Sequence, residues 1–131
     1  MKNLFDLTGK TALITGGGGL LGPKHAEAII EYGGRVVLAD WHEDRAKEKA
    51  EHLNNEYGQG YITKAWGEYM DVTDKKSIQK VVDNHSINIL INNAAKDPKV
   101  KKGGGLTPDS RFETMTENYW YEGIDAALNG T

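Results

Sequence analysis

The stretch Thr15-Gly16-Gly17-Gly18-Gly19-Leu20-Leu21-Gly22 constrains the fold more than any other part of the chain. It follows a short apolar run, Thr11-Ala12-Leu13-Ile14-Thr15, and precedes a segment that carries Ala26, Ile29 and Ile30 at helical spacing. Glycines between a strand and a helix make a tight turn and let backbone approach a ligand where a Cβ would obstruct it. A helix that starts there points unpaired N–H groups and a positive dipole end at the loop, which is the chemistry that holds a phosphate. A loop that merely turns is the plainer reading. Its position between strand and helix favours a pyrophosphate.

The rest of the chain repeats the alternation. Leu20 to Tyr32 reads as a helix ended by Gly33-Gly34, and Arg35 to Asp40 as a second strand. Glu43 to Tyr57 sets Ala46, Ala50, Leu53 and Tyr57 on one stripe of a surface helix. Ala65 to Asp71 is a third strand. Asp74 to His85 is a helix with Thr73 as N-cap and Ile78, Val81 and Val82 facing inward. Ile87 to Ile91 is a fourth strand, residues 96–110 form a loop rich in Lys and Gly, and a last helix starts near Thr116. That helix puts Trp120, Ile124, Ala127 and Leu128 on one face. Strict alternation with short connections predicts an α/β fold: a doubly wound, Rossmann-type parallel sheet of about four strands with flanking helices. The 131 residues suit one domain, 1–131, with no internal boundary.

Composition removes other classes. A net charge of −3 with no concentrated basic face argues against nucleic acid, and the absence of cysteine excludes disulfides and thiolate metal sites. No apolar run reaches membrane-spanning length, and the start Met1-Lys2-Asn3-Leu4-Phe5-Asp6 lacks the apolar core of a signal peptide, so a cytoplasmic protein is expected. His25, His42, His52 and His85 never fall at ligand spacing, and are expected as exposed helix histidines, with no metal site.

Asp40 stands at the end of the second strand, eighteen residues after Gly22. A carboxylate there accepts hydrogen bonds from the adenosine ribose hydroxyls and repels a 2′-phosphate. Trp41 follows it, the glycine loop has no basic side chain, and Arg45 is read as lying a turn along the helix, directed to solvent. NAD is therefore favoured over NADP. The plainer reading of Asp40 is an ordinary helix cap.

Thr15-Gly16-x-x-Gly19-x-x-Gly22, Asp40, Asp71-Val72 and Asn92-Asn93-Ala94-Ala95, each at the end of a strand, together resemble the short-chain dehydrogenase/reductase family, here its N-terminal half. The resemblance implies nicotinamide-dependent hydride transfer to or from a small alcohol or ketone, sugar-derived ones included. It implies cofactor contacts at Gly16, Gly18, Gly19, Leu20, Leu21, Asp40 and Trp41. Asp71 and Val72 would meet the adenine, Asn93, Ala94 and Ala95 would line the path to the nicotinamide, and Asn92 would brace the sheet.

The sequence departs from the family pattern in places. Leu20 stands where the commonest pattern has its second glycine, and this spacing is that of the family's extended members, nucleotide-sugar epimerases among them. Counting seven residues from Trp120 to the family's catalytic Asn reaches Ala127, with Asn129 two residues further. The family's catalytic Tyr is followed by Lys four residues later, and none of Tyr32, Tyr57, Tyr61, Tyr69, Tyr119 and Tyr121 is. No catalytic residue is therefore assigned, and the chain reads as an inactive cofactor half. A non-catalytic NAD-binding module and an extended-type nucleotide-sugar epimerase or dehydratase are the other readings open at this point.

Lys96, Lys99, Lys101 and Lys102 beside Gly103-Gly104-Gly105 read first as a solvated loop, and second as an attractor of an acidic substrate. Asp97-Pro98-Lys99 and Ser110-Arg111-Phe112-Glu113 resemble family members associated with bacterial surface-sugar biosynthesis. A sheet that ends at its fourth strand exposes an edge, so homo-oligomerisation is expected.

Overall fold

A computed structural model of the protein describes residues 4–58, 62–96 and 112–130. They fall into two compact units, one reaching Ala94 and the other starting at Ala95. The first contains four strands, β1 (Thr11–Thr15), β2 (Arg35–Asp40), β3 (Ala65–Tyr69) and β4 (Ile89–Ile91). All pair in parallel, in the spatial order β3-β2-β1-β4. Three helices join successive strands: α1 (Gly22–Glu31), α2 (Glu43–Tyr57) and α3 (Lys75–Asn84).

The central strands are apolar throughout because both faces of the sheet are covered. Ala12, Ile14, Val36, Leu38 and Ala65 pack with Ala26 and Ile30 of α1 and with Ala46, Ala50 and Leu53 of α2. The intervening residues Leu13, Val37 and Ala39 face the other way, against Met70 and Val81 of α3. Ile14, Leu38, Leu53, Val36, Val37 and Val81 are fully buried, and each such side chain stabilises the fold by roughly 1.5–3 kcal/mol. The α/β doubly wound expectation holds.

Side-chain hydrogen bonds fix where several elements stop. The Asn54 amide clamps the end of α2 to the start of β3: its Oδ1 accepts from Lys64 N–H (2.8 Å) and Ala65 N–H (2.9 Å), and its Nδ2 donates to Ala65 O (2.8 Å). β4 starts at Ile89 and not at Ile87, because the Thr11 N–H goes to Asn88 Oδ1 (3.0 Å) instead of to a ladder carbonyl. β3 ends at Tyr69, two residues short of the expected Asp71. α1 starts at Gly22, leaving Leu20 and Leu21 exposed in the loop. The N-cap of α3 is Asp74, which accepts from Lys76 N–H (3.0 Å), and not Thr73, which bonds back to Asp71.

His25, His42 and His52 are exposed as expected, but His85 is not. Its ring is 13% exposed, with Nε2 2.8 Å from Glu68 Oε1 and the ring tilted against Trp66. A histidine closing a helix beside a strand carboxylate is held by that partner.

In the second unit a 3₁₀ turn (Phe112–Thr114) precedes α4 (Glu117–Ile124), whose N-cap Thr116 accepts from Tyr119 N–H at 3.2 Å. A π-helical turn, Asp125–Asn129, continues it. Its wider spacing rotates Ala127 and Leu128 off the line through Trp120 and Ile124 that a uniform helix would draw. Lys99, Lys101, Lys102, Gly103 to Gly105, Asp97-Pro98 and Ser110-Arg111 lie outside the described residues. Among the described residues, no helix is long and apolar enough to cross a membrane.

Candidate cofactor site

The chain winds outward from β1 through β2 to β3, then returns to place β4 on the other side of β1. Connections therefore diverge from the C-terminal ends of β1 and β4, and this divergence opens a crevice where doubly wound sheets take their ligands. Thr15, Asp40 and Ile91 end their strands at that rim, so the sheet itself brings the separate motifs together.

Thr15 is the tie across the crevice. Its buried hydroxyl accepts from Asn93 N–H (3.1 Å) and Ala94 N–H (3.1 Å) and donates to Ile91 O (3.5 Å). Asn93 answers from the other side, its Nδ2 donating to Thr15 O (3.0 Å) and Gly16 O (3.2 Å). The bracing that the resemblance gives to Asn92 is thus made by its neighbour Asn93, and Asn92 is exposed. Gly16 has φ +65°, and a Cβ on it would lie 2.9 Å from Ala94 Cα. Both facts demand glycine at this point.

From there the loop runs close to its own helix. Gly17 N–H donates to Ala39 O (2.9 Å), and a Cβ on Gly22 would fall 2.7 Å from Gly17 Cα. Gly19 N–H turns back to Gly16 O (3.0 Å). Leu21, the N-cap of α1, makes no side-chain cap, and Pro23 follows in the first turn. The first-turn N–H groups therefore lack a side-chain acceptor, the condition under which a helix end takes an anion. Leu20, where the family's second glycine would stand, is 88% exposed at this mouth.

Asp40 holds the loop to the second crossover. Its Oδ2 accepts from Gly18 N–H (3.0 Å), its Oδ1 accepts from His42 N–H (2.9 Å), and the residue is 8% exposed. Each carboxylate oxygen retains a further lone pair. The cap reading and the ribose reading are therefore compatible, since one carboxylate can do both. Trp41 is exposed beside it, its ring edge-on to His42 at 5.0 Å.

Arg45 is exposed on α2 as expected, and its Cβ lies beside the loop. A Cβ on Gly18 would lie 2.9 Å from Arg45 Cβ and 3.2 Å from the Asp40 carboxyl carbon. Lys47 and Lys49 are paired with Glu43 and Glu48, whereas Arg45 makes no ion pair among the described residues.

Asp71 and Val72 lie just past β3. The Asp71 N–H donates to Ser77 Oγ (2.8 Å), and Asp71 Oδ1 accepts from Thr73 N–H (2.9 Å) and Thr73 Oγ1 (2.7 Å). Ser77 was not a candidate on sequence grounds; its signal was a small polar residue on the core-facing side of α3, beside Ile78 and Val81. Ala95 begins the second unit. There Lys96 is paired with Glu122 and sits over the Tyr119 ring, 4.7 Å from its centroid, so the one described member of the lysine cluster is already neutralised. Asn129, the shifted candidate for the family's catalytic Asn, donates instead to Asp125 Oδ1 (2.8 Å).

A parallel β3-β2-β1-β4 sheet with a glycine loop at its crevice defines a Rossmann-type nucleotide-binding protein. Residues 10–131 match the short chain dehydrogenase family, and the chain belongs to it. It is 32% identical over 132 residues to the 3-oxoacyl-(acyl-carrier-protein) reductase FabG of Aquifex aeolicus, covering 97% of this chain and 48% of that protein. It is 30% identical over 132 residues to an NAD-dependent glycerol dehydrogenase of Listeria innocua, covering 97% and 45%. A crystal structure of a short-chain type dehydrogenase/reductase from Mycobacterium marinum superposes with a TM-score of 0.76 at 28% identity, covering 98% of this chain and 46% of that one. The chain thus spans a little under half the length of these relatives. The family is one of nicotinamide-dependent oxidoreductases.

Proposed function

We propose that this chain is the cofactor half of an NAD-dependent oxidoreductase acting on a small alcohol or ketone, polyols and other sugar-derived compounds included. The observation that carries the reading is the Gly18–Asp40 hydrogen bond, which joins the phosphate-type loop to the ribose-type acid at the uncapped start of α1. Residues 1–131 are read as one dinucleotide-binding domain.

The roles follow from chemistry. The backbone of Gly16, Gly18, Gly19, Leu20 and Leu21 borders the pyrophosphate, whose charge the α1 N-terminus offsets. Asp40 accepts from the ribose hydroxyls and Trp41 flanks the adenosine. Asp71 and Val72 meet the adenine, while Asn93, Ala94 and Ala95 line the way to the nicotinamide. When bound, the nicotinamide supplies or accepts the hydride, and the protein supplies orientation. The same residues would serve a non-catalytic NAD-binding module or an epimerase. The glycerol dehydrogenase among the relatives favours net alcohol oxidation or ketone reduction, and its NAD dependence favours NAD.

By calorimetric titration, NAD is expected to bind about tenfold or more tighter than NADP, since a carboxylate against a 2′-phosphate costs on the order of 1–2 kcal/mol near a protein surface. Equal affinities would sink the NAD assignment, and no binding of either would sink the cofactor reading. The protein is read as cytoplasmic, with no nucleic-acid or membrane partner.

Self-association is the further expectation. β4 is a three-residue edge strand of the described sheet, and its Leu90 is half exposed. Such edges pair with a second strand. Light scattering on the 131-residue chain is expected to give at least a dimer mass; a monodisperse monomer with a cooperative melt would count against pairing through β4.

A further inference from the structure

We propose that Gly67, on β3 and outside the glycine loop, is a positioning residue for discrimination between NAD and NADP. It seats the opening turn of α2, the turn that carries Arg45 and bears on both Gly18 and Asp40. This rests on the cofactor reading above.

Gly67 stands opposite Leu38 of β2, on the face of the sheet that α2 covers. Glycine weakens a strand interior and is found there where another backbone comes close. A Cβ on Gly67 would lie 2.5 Å from both Ala46 C and Lys47 Cα, and nearer still to Lys47 N. All three are backbone atoms, so the helix rests directly on the strand and any side chain at this position lifts it. Gly18 meets the same turn from the loop. A Cβ there would lie 2.9 Å from Arg45 Cβ and 3.2 Å from Ala46 N. Two glycines far apart in the chain thus close on one turn.

What that turn positions is Asp40. The His42 carbonyl accepts from Arg45 N–H (3.0 Å) and Ala46 N–H (3.2 Å), and the His42 N–H donates to Asp40 Oδ1 (2.9 Å). These two groups of His42 belong to different peptide units, so a shift of the turn reaches Asp40 by displacing the whole residue and not by rotating one peptide. The other carboxylate oxygen, Oδ2, takes the Gly18 N–H (3.0 Å), and Gly18 packs on the turn itself. Lifting the turn therefore draws on both oxygens, and it carries Arg45 along. Close-packed interiors transmit such a step. Discrimination against a 2′-phosphate depends on the distances at which a carboxylate repels it and a guanidinium attracts it, and this one turn places both groups.

The test titrates the full chain with NAD and with NADP in the wild type, Gly67→Ala and Leu53→Val, with a urea melt on each. Leu53 is buried on the same helix, about two turns further on, so trimming it loosens α2 without crowding the opening turn. The wild type is expected to prefer NAD about tenfold or more, and Gly67→Ala to bring that preference to within about threefold. Leu53→Val is expected to melt earlier and keep the wild-type preference. A Gly67→Ala that melts earlier yet keeps the preference would assign Gly67 to packing alone and overturn the proposal. An equal loss of preference in Leu53→Val would trace the effect to the stability of α2 at large and overturn it too. Ala46→Ser crowds the same turn by a single atom at a fully buried position, so it decides the matter should Gly67→Ala not fold. Its preference is expected to fall about twofold to threefold, and an unchanged one overturns the proposal. A wild type that binds both dinucleotides equally overturns the NAD assignment, and one that binds neither overturns the cofactor reading; the proposal falls with either.

Discussion

Gly16→Ala is expected to destabilise the fold by about 2–5 kcal/mol and to weaken NAD binding roughly tenfold or more. Two costs add. An L-residue at φ +65° pays roughly 1–2 kcal/mol for the left-handed conformation. The new Cβ also sits 2.9 Å from Ala94 Cα, and overpacking of that kind costs about 1–3 kcal/mol. The atom it meets is backbone, so no side chain can rotate out of the way. Relief comes only by parting the β1 loop from the segment after β4, which stretches the Asn93 bonds to Thr15 O and Gly16 O and widens the crevice. Gly9 provides the control, because its φ is +78° but nothing lies within 4 Å of its would-be Cβ. Gly9→Ala should show the conformational cost alone. Urea melts of the two variants, subtracted, isolate the crowding against Ala94. Equal losses in both, with NAD affinity unchanged in Gly16→Ala, would mean that closure of the crevice does not depend on Gly16.

What the sequence made legible follows from the range of each interaction. β1 and β2 could be read because doubly covered strands are apolar along their length, and the glycine loop because it lies between two such elements. The ends were harder, since they depend on single side chains. Asn88 takes the Thr11 N–H and shortens β4, and Asp74 rather than Thr73 caps α3 because Thr73 is committed to Asp71. Least legible were bonds between distant parts of the chain. The Thr15 hydroxyl meets Asn93 and Ala94 nearly eighty residues away, and no periodicity announces such a contact. Ser77 was hidden among helix residues whose pattern advertised only packing. Arg45 is on α2 and exposed, as its helical spacing implied, but only the fold brings Gly18 of the phosphate-type loop up against its Cβ.

Asp40 gives the second large effect, and here two substitutions separate roles that one residue combines. Asp40→Ala removes the acceptor for the Gly18 and His42 N–H groups, and an unsatisfied partly buried donor costs roughly 1–3 kcal/mol. NAD affinity should fall about tenfold to a hundredfold, from the lost ribose hydrogen bonds and from a loosened loop together. Asp40→Asn keeps one carbonyl oxygen for one of those donors and removes the charge. Its stability should therefore lie between wild type and alanine, while the repulsion of a 2′-phosphate disappears. Arg45, which makes no ion pair among the described residues and whose Cβ lies beside Gly18, is then the expected cation for that phosphate. The ratio of NAD to NADP affinity is expected to fall to about one in Asp40→Asn, even where its melting curve stays close to the wild type. If the ratio instead follows stability across the series, Asp40 acts only through the loop it ties, and discrimination between the cofactors resides in another residue. If the ratio collapses in both variants while stability falls mainly in alanine, the carboxylate carries specificity through its charge and loop geometry through its lone pairs.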